Sequence, residues 1–316
     1  MNATRATWMA LSPIAQIGLI VLGMLLVASG AVWALRRRYP ERDFSELASR
    51  TRSWWWMAAV FIGAVAANAT LALVLFALLS FWALKEYVTL LRTRPADHRA
   101  LFWAFLAIPI QYVWIARRAY VMFLIFIPVY MFLWLPVRLV LAGEIAGFVA
   151  SASMIQWGLM AFVFGLSHLG YLSTLPSFPG TLADGRTLVL FLAFVTESSD
   201  VFQYVWGKLL GRHKILPTIS PNKTWEGFLA GILSATLLSL LVRFLTPFSP
   251  GETLVAALLI AVAGFAGGAV MSAVKRDVGV KDFGALIPGH GGMLDRIDSL
   301  CYAAPVFFHY VRYFHS

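Results

Sequence analysis

Apolar residues run along this chain in long blocks separated by short polar stretches, and the blocks set the elements to expect. Residues 14–35, 100–115, 119–135, 154–174, 187–206, 226–245, 253–274 and 297–313 each read as one helical span. The block at 54–84 is longer than one straight helix needs to cross a bilayer, so the pattern is broken near Asn68 into a short span and a full one. Only Arg117 and Arg118 divide the pair at 100–135. The pattern therefore predicts an all-α chain, a polytopic integral membrane helical bundle of about ten transmembrane helices. It forms one membrane domain in two halves, the spanning helices of residues 1–186 and the more polar residues 187–316.

Composition sharpens this picture. With 60% hydrophobic and 13% charged residues, the chain lies outside the range of soluble domains. A net charge of +10 would suggest nucleic acid in a soluble protein. Here most of the 25 Lys and Arg residues gather in short loops, after the first span and at 85–99, 208–223 and 275–296. That is the positive-inside pattern, which points to anionic lipid headgroups or phosphorylated substrates and not to nucleic acid. It places the N-terminus outside and both charged loops of the C-terminal half in the cytoplasm. The first block is too long for a signal-peptide core and is kept as a span. The lone Cys301 excludes an internal disulfide.

Charge is densest at 272–298, between two apolar blocks. Asp295 and Asp298 lie three residues apart at the start of the last span and share one helix face. With Asp282 folded back from the loop, they suit oxygen-only ligation of Mg²⁺, completed by water and phosphate. Lys275, Arg276 and Arg296 supply cations for a phosphate. The alternative is that these charges simply pair with one another at the membrane surface. Pro288-Gly289-His290-Gly291-Gly292 reads as an anion-binding turn in which His290 could donate to a phosphate, or as a turn and no more.

A second constellation, Thr196-Glu197-Ser198-Ser199-Asp200, sits inside an apolar block. Glu197, Asp200, Gln203 and Gly207 draw a polar stripe along one helix face, either lining a substrate path or forming a polar seam between helices. The basic stretch Lys208, Arg212, His213 and Lys214 follows, then Ser220-Pro221-Asn222-Lys223-Thr224-Trp225-Glu226-Gly227. Ser220-Pro221 predicts a helix start, with Thr224 as the alternative N-cap. Lys223 beside that N-terminus is well placed for triphosphate oxygens. Gly264, Gly267 and Gly268 read as close helix packing.

These residues resemble a known family. Ser272-x-x-Lys275-Arg276, Lys281-Asp282-x-Gly284 and Pro288-x-His290-Gly291-Gly292-x-x-Asp295-Arg296-x-Asp298 are similar to the signature of phosphatidate cytidylyltransferases. The 220–227 segment resembles a second motif of that family, and Asp200 with Tyr204, Gly207 and Lys208 a third; together they cover the C-terminal part of the chain. The resemblance implies a membrane enzyme that condenses CTP with phosphatidic acid, or a related lipid phosphate, to CDP-diacylglycerol and pyrophosphate. It implies Mg²⁺, either as two divalent ions or as one with a monovalent cation. By this resemblance Lys275, Arg276, Lys281, Asp282, His290, Arg296 and Asp200 serve catalysis. Ser220, Asn222, Lys223, Thr224, Lys208, Ser272, Gly291 and Gly292 bind substrate, and Asp282, Asp295 and Asp298 hold metal. A homodimer embedded in membrane lipids is compatible with the sequence.

One departure stands out. The bacterial pattern carries Gly-Asp just before the Ser272 motif, with the Asp a metal ligand, where this chain has Gly267-Gly268. Glu197 or Asp200 could take that place. A cytidylyltransferase for another lipid phosphate and a non-catalytic lipid-binding or transport paralogue are the competing readings.

Overall fold

A computed structural model describes residues 10–315. Long helices stand at all ten expected places: α1 Pro13–Arg38, α2 Ser45–Ala67, α3 Ala69–Leu90, α4 Asp97–Ala116, α5 Tyr120–Val140, α6 Phe148–Ser173, α7 Gly185–Leu210, α8 Trp225–Leu245, α9 Pro250–Val278 and α10 Leu294–Phe314. Among the described residues, eight are long and apolar enough to cross a membrane. The other two, α2 and α10, begin in polar sequence, SELASRTRS and LDRIDS, which carries their first turns into the interface. The all-α bundle is thus as expected, with one small addition. Strands β1 Lys214–Leu216 and β2 Ser220–Thr224 pair antiparallel in the stretch expected to be a basic loop.

Local sequence chemistry sets the helix ends. Asn68 breaks the long apolar block as expected, because its extended backbone ends α2 while its side chain accepts from Leu71 N–H to start α3. Asp184 and Thr187 form a capping box on α7, and Ser249 and Glu252 form another on α9. Gly279, in the left-handed conformation at φ 80°, ends α9 directly after Lys275 and Arg276, whose charges complement the helix C-terminus. Of the two starts predicted for α8, Thr224 is the one used: it accepts from Gly227 N–H, whereas Ser220 and Pro221 lie in β2. Inside α5 and α6 the turns widen at Phe126–Met131 and Leu159–Phe164; the first contains Pro128, which has no N–H to donate.

Side chains such as Leu19, Met24, Leu26, Val27, Phe102, Leu133, Leu229, Leu241 and Val262 are exposed on the outer surface, as lipid contact requires. The interior is filled by Phe76, Phe123, Phe162, Phe191, Phe307 and Phe308. In the C-terminal half α7 packs most extensively on α8, and α9 on α10. Small residues permit this approach. A Cβ on Gly231 would come within 2.5 Å of Gln203 on α7, and one on Gly267 within 2.7 Å of the Asp298 carbonyl on α10. The packing role expected of Gly267 is therefore met. The C-terminal ends of α3, α7 and α9 meet the N-terminal ends of α2, α8 and α10, with the β-hairpin, at one end of the bundle.

Candidate active site

At that end, the polar residues of the C-terminal half separate into two neighbouring groups. The first joins α7 to α10. Ser299 donates its hydroxyl to Asp200 Oδ2 at 2.9 Å, and the same hydroxyl lies 3.4 Å from Asp298 Oδ1. Asp298 also accepts from Ser299 N–H at 2.7 Å. One serine therefore holds two carboxylates from different helices side by side. Asp298 is half-buried and Asp200 exposed, so the pair opens outward; Glu197 lies one turn before Asp200, facing Arg296 and the same acids.

The cation of this group is Lys223, carried in by the β-hairpin. Its ammonium lies 4.5 Å from the Phe265 ring centroid and 3.5 Å from the Phe265 carbonyl, with Asp200 and Asp298 as its charged neighbours. Burial pulls its pKa below the usual lysine value, and the two carboxylates work against that pull. Gly268 matters here. A Cβ at that position would lie 3.1 Å from Lys223 Nζ and 3.9 Å from Asp298 Oδ2. The position where the resemblance led us to expect a carboxylate thus borders the lysine ammonium directly.

The second group is closed. Asp295 Oδ1 pairs with Lys275 Nζ at 2.9 Å, while Oδ2 accepts from the backbone N–H groups of Phe283 and Gly292, each at 2.9 Å. Its side chain is 3% exposed. This carboxylate is spent on protein donors. Asp282 lies alongside, across Gly291, but is itself exposed. Among the described residues no three Asp, Glu, His or Cys side chains gather as a metal-holding group: Asp282 and Asp295 both border Gly291, whereas Asp298 Oδ2 lies near Gly268. The reason is geometric. One helical turn separates Asp295 from Asp298, and the first points back into the 283–292 loop while the second faces α7 and α9.

The glycine-rich turn is organised in the same way. Gly289 and Gly291 have φ of 76° and 82°, which favours glycine, and His290 N–H closes the turn on the Ile287 carbonyl. Of the turn's own N–H groups, His290 donates to the Ile287 carbonyl and Gly292 to Asp295; directly after it, Met293 and Leu294 donate to Glu86 on α3. His290 is buried edge-on against Trp54, with its pKa lowered first by burial and then by Arg296.

The remaining predicted residues ring this end. Arg276 donates to the Ile219 carbonyl and ties α9 to the hairpin, and Lys281 is exposed. Ser272 bonds back to the Gly268 carbonyl in its own helix, and Thr224 is spent as a cap. Asn222 is exposed on β2, and Lys208 lies over the Tyr204 ring. Glu226 receives Arg212 and His213 N–H and the His213 ring, closing the hairpin onto α8. Three contacts were not foreseen, and all come from the N-terminal half. Arg50 donates to the Gly289 carbonyl, Ser53 to the Pro288 carbonyl, and Glu86 receives two loop amides. The only sequence signal for Glu86 is an acid near the end of an apolar block.

Fold and site together define an integral membrane helical protein with an open acid–lysine group at one end of its bundle. The chain belongs to the cytidylyltransferase family, whose match spans residues 48–314. By class it is a membrane-embedded nucleotidyltransferase. It is 44% identical to the uncharacterized protein YnbB of Escherichia coli (strain K12), over 93% of this chain and 96% of that one. Shorter matches are to the phosphatidate cytidylyltransferases of Staphylococcus haemolyticus, 37% identical over 41% of this chain, and of Staphylococcus aureus, 36% identical over 40%. This chain spans about half the length of those two relatives, 50% and 49% respectively.

Proposed function

We propose that this protein transfers the CMP moiety of CTP to a lipid phosphate, with phosphatidic acid as the first candidate, giving CDP-diacylglycerol and pyrophosphate. The observation that carries this reading is the group formed by Asp200, Asp298, Ser299 and Lys223, which is open on one side and lies next to basic loops. A triphosphate needs that mixture of charge. Lys223 offers a half-buried ammonium to phosphate oxygens, and Arg276 and Lys281 stand at the rim for the rest of the nucleotide or for the lipid headgroup.

Asp200 and Asp298 suit Mg²⁺, being two hard oxygen donors held side by side with room for water and phosphate oxygens to complete the shell. Magnesium bound there would supply Lewis-acid stabilisation of charge on the α- and β-phosphates. In this assignment Asp295 is not a ligand; it holds Lys275 and the loop. An oxygen of the lipid phosphate attacks the α-phosphorus, the bond to the bridging oxygen breaks, and pyrophosphate leaves with that electron pair. What the chain contributes is in-line positioning and fixed charge, with no covalent nucleophile of its own. The positive-inside bias argues for a cytoplasmic site, on the side where nucleotides are found.

The direct test is pyrophosphate release by the purified protein in detergent with CTP, phosphatidic acid and Mg²⁺, beside a control without lipid. Lipid- and metal-dependent release is expected. Release with another lipid phosphate alone would move the substrate assignment, and silence with every lipid phosphate would overturn the reading.

A further inference from the structure

We propose that Glu86, at the end of α3 in the N-terminal half, is a positioning residue for the reaction. It would set the glycine-rich loop and the start of α10, and through them the place of Asp298. The inference rests on the functional reading above, but its geometry stands apart from it. Glu86 Oε1 accepts from Met293 N–H and Oε2 from Leu294 N–H, both at 2.8 Å, although more than 200 residues separate them in sequence. Glu86 is buried, at 9% exposure. Its carboxylate takes two of the amides that a helix leaves free at its N-terminus, where a negative charge is most favourable.

Asp295 takes the amide just before these two, so consecutive N–H groups at 292, 293 and 294 are held by acids from opposite halves of the chain. The loop glycines follow from this arrangement. A Cβ on Gly292 would lie 2.5 Å from Glu86 Oε2, and one on Gly284 would lie 3.1 Å from Glu86 Oε1. Two glycines of the motif are therefore clearance for a carboxylate that arrives from outside it. Arg50 and Ser53 grip the carbonyls on the other side of the turn. Asp298 begins its turn four residues after Leu294, so a shift of the α10 start moves Asp298 relative to Asp200 and Lys223.

The test uses full-length protein carrying Glu86→Gln or Glu86→Asp, with Arg50→Ala as a comparison. Glu86→Gln keeps one acceptor and opposes the second N–H with a donor; Glu86→Asp keeps the charge on a shorter arm. Two readouts are taken. Amide hydrogen exchange at 292–294 is expected to speed up about tenfold or more in Glu86→Gln, with the remainder of the chain protected as in the parent. In turnover, kcat is expected to fall about 100-fold with KM for CTP within a few-fold, and Glu86→Asp to regain part of the loss. Unchanged exchange at 292–294 would overturn the proposal. So would faster exchange with kcat intact, or a loss confined to KM. If the parent protein shows no turnover, the functional reading fails while the exchange measurement still decides whether Glu86 holds the loop.

Discussion

Asp295 and Asp298 begin the same helix one turn apart, yet they occupy opposite kinds of environment. Asp295 is enclosed, with both oxygens matched to Lys275 and two backbone amides. Asp298 shares Ser299 with Asp200, lies near Lys223, and is half-buried beside the exposed Asp200. The lesson is that a motif can place two identical side chains for different work. One carboxylate secures the loop, and the other is left under-bonded where a substrate can meet it.

The sharpest way to break this comparison is to neutralise each acid in turn. Asp298→Asn is expected to lower turnover by about a thousandfold or more while unfolding in detergent stays near that of the parent, because an open group contributes little to the fold. Activity near the parent level would remove Asp298 from the reacting group. Asp295→Asn should act mainly on stability. It leaves the Lys275 ammonium, 17% exposed, without its counter-charge, at a cost of about 3–5 kcal/mol. Thermal unfolding would read this, and Lys275→Met in the same chain should recover part of it; equal stability in Asp295→Asn would show that the enclosed acid is not a latch.

A smaller effect is expected at Gly268. Alanine there brings a methyl group within 3.1 Å of Lys223 Nζ, and because the ammonium ends a flexible chain it can move aside. Turnover should fall about tenfold with stability nearly unchanged, a displaced charge being worth a few kcal/mol at most in this setting. Gly268→Asp would add a third carboxylate beside Lys223; a sharper rise of rate with Mg²⁺ concentration than in the parent would show that the lysine had been serving where a metal-bound acid otherwise could.

The smallest expected effect is the pH dependence of His290. Its pKa is lowered in the fold, by burial and then by Arg296, so below the ordinary value of about 6.5 the unfolded chain binds a proton that the native site resists. Stability should therefore fall as pH drops from about 6.5 toward the lowered value, and stay flat above it. His290→Gln should flatten that slope. An unchanged slope would remove His290 as its source.

Much of the bundle was legible beforehand. The break at Asn68 and the clustering of charge in 272–298 both act locally or within a few residues, whereas the capping boxes that start α7 and α9 were seen only in the structure. The two starts offered for α8 could not be separated, because Ser220–Thr224 pairs as a strand with residues 214–216, so the helix begins only where that strand ends, at Thr224. Asp282, Asp295 and Asp298 read as one ligand set because spacing along a helix reports a shared face. It does not report which donors already occupy each side chain.

By itself, then, the sequence determined that this protein is a membrane-embedded helical bundle, where along the chain its spans fall, and which loop concentrates its chemistry. Those features follow from hydrophobic length and charge, and each is settled among near neighbours in the chain. Only the tertiary structure decided that Asp200 meets Asp298 through Ser299, that Lys223 borders Gly268, and that Glu86 caps α10. Such pairings join residues up to about two hundred positions apart, and they form only because close helix packing in the bundle brings distant backbones within hydrogen-bonding reach.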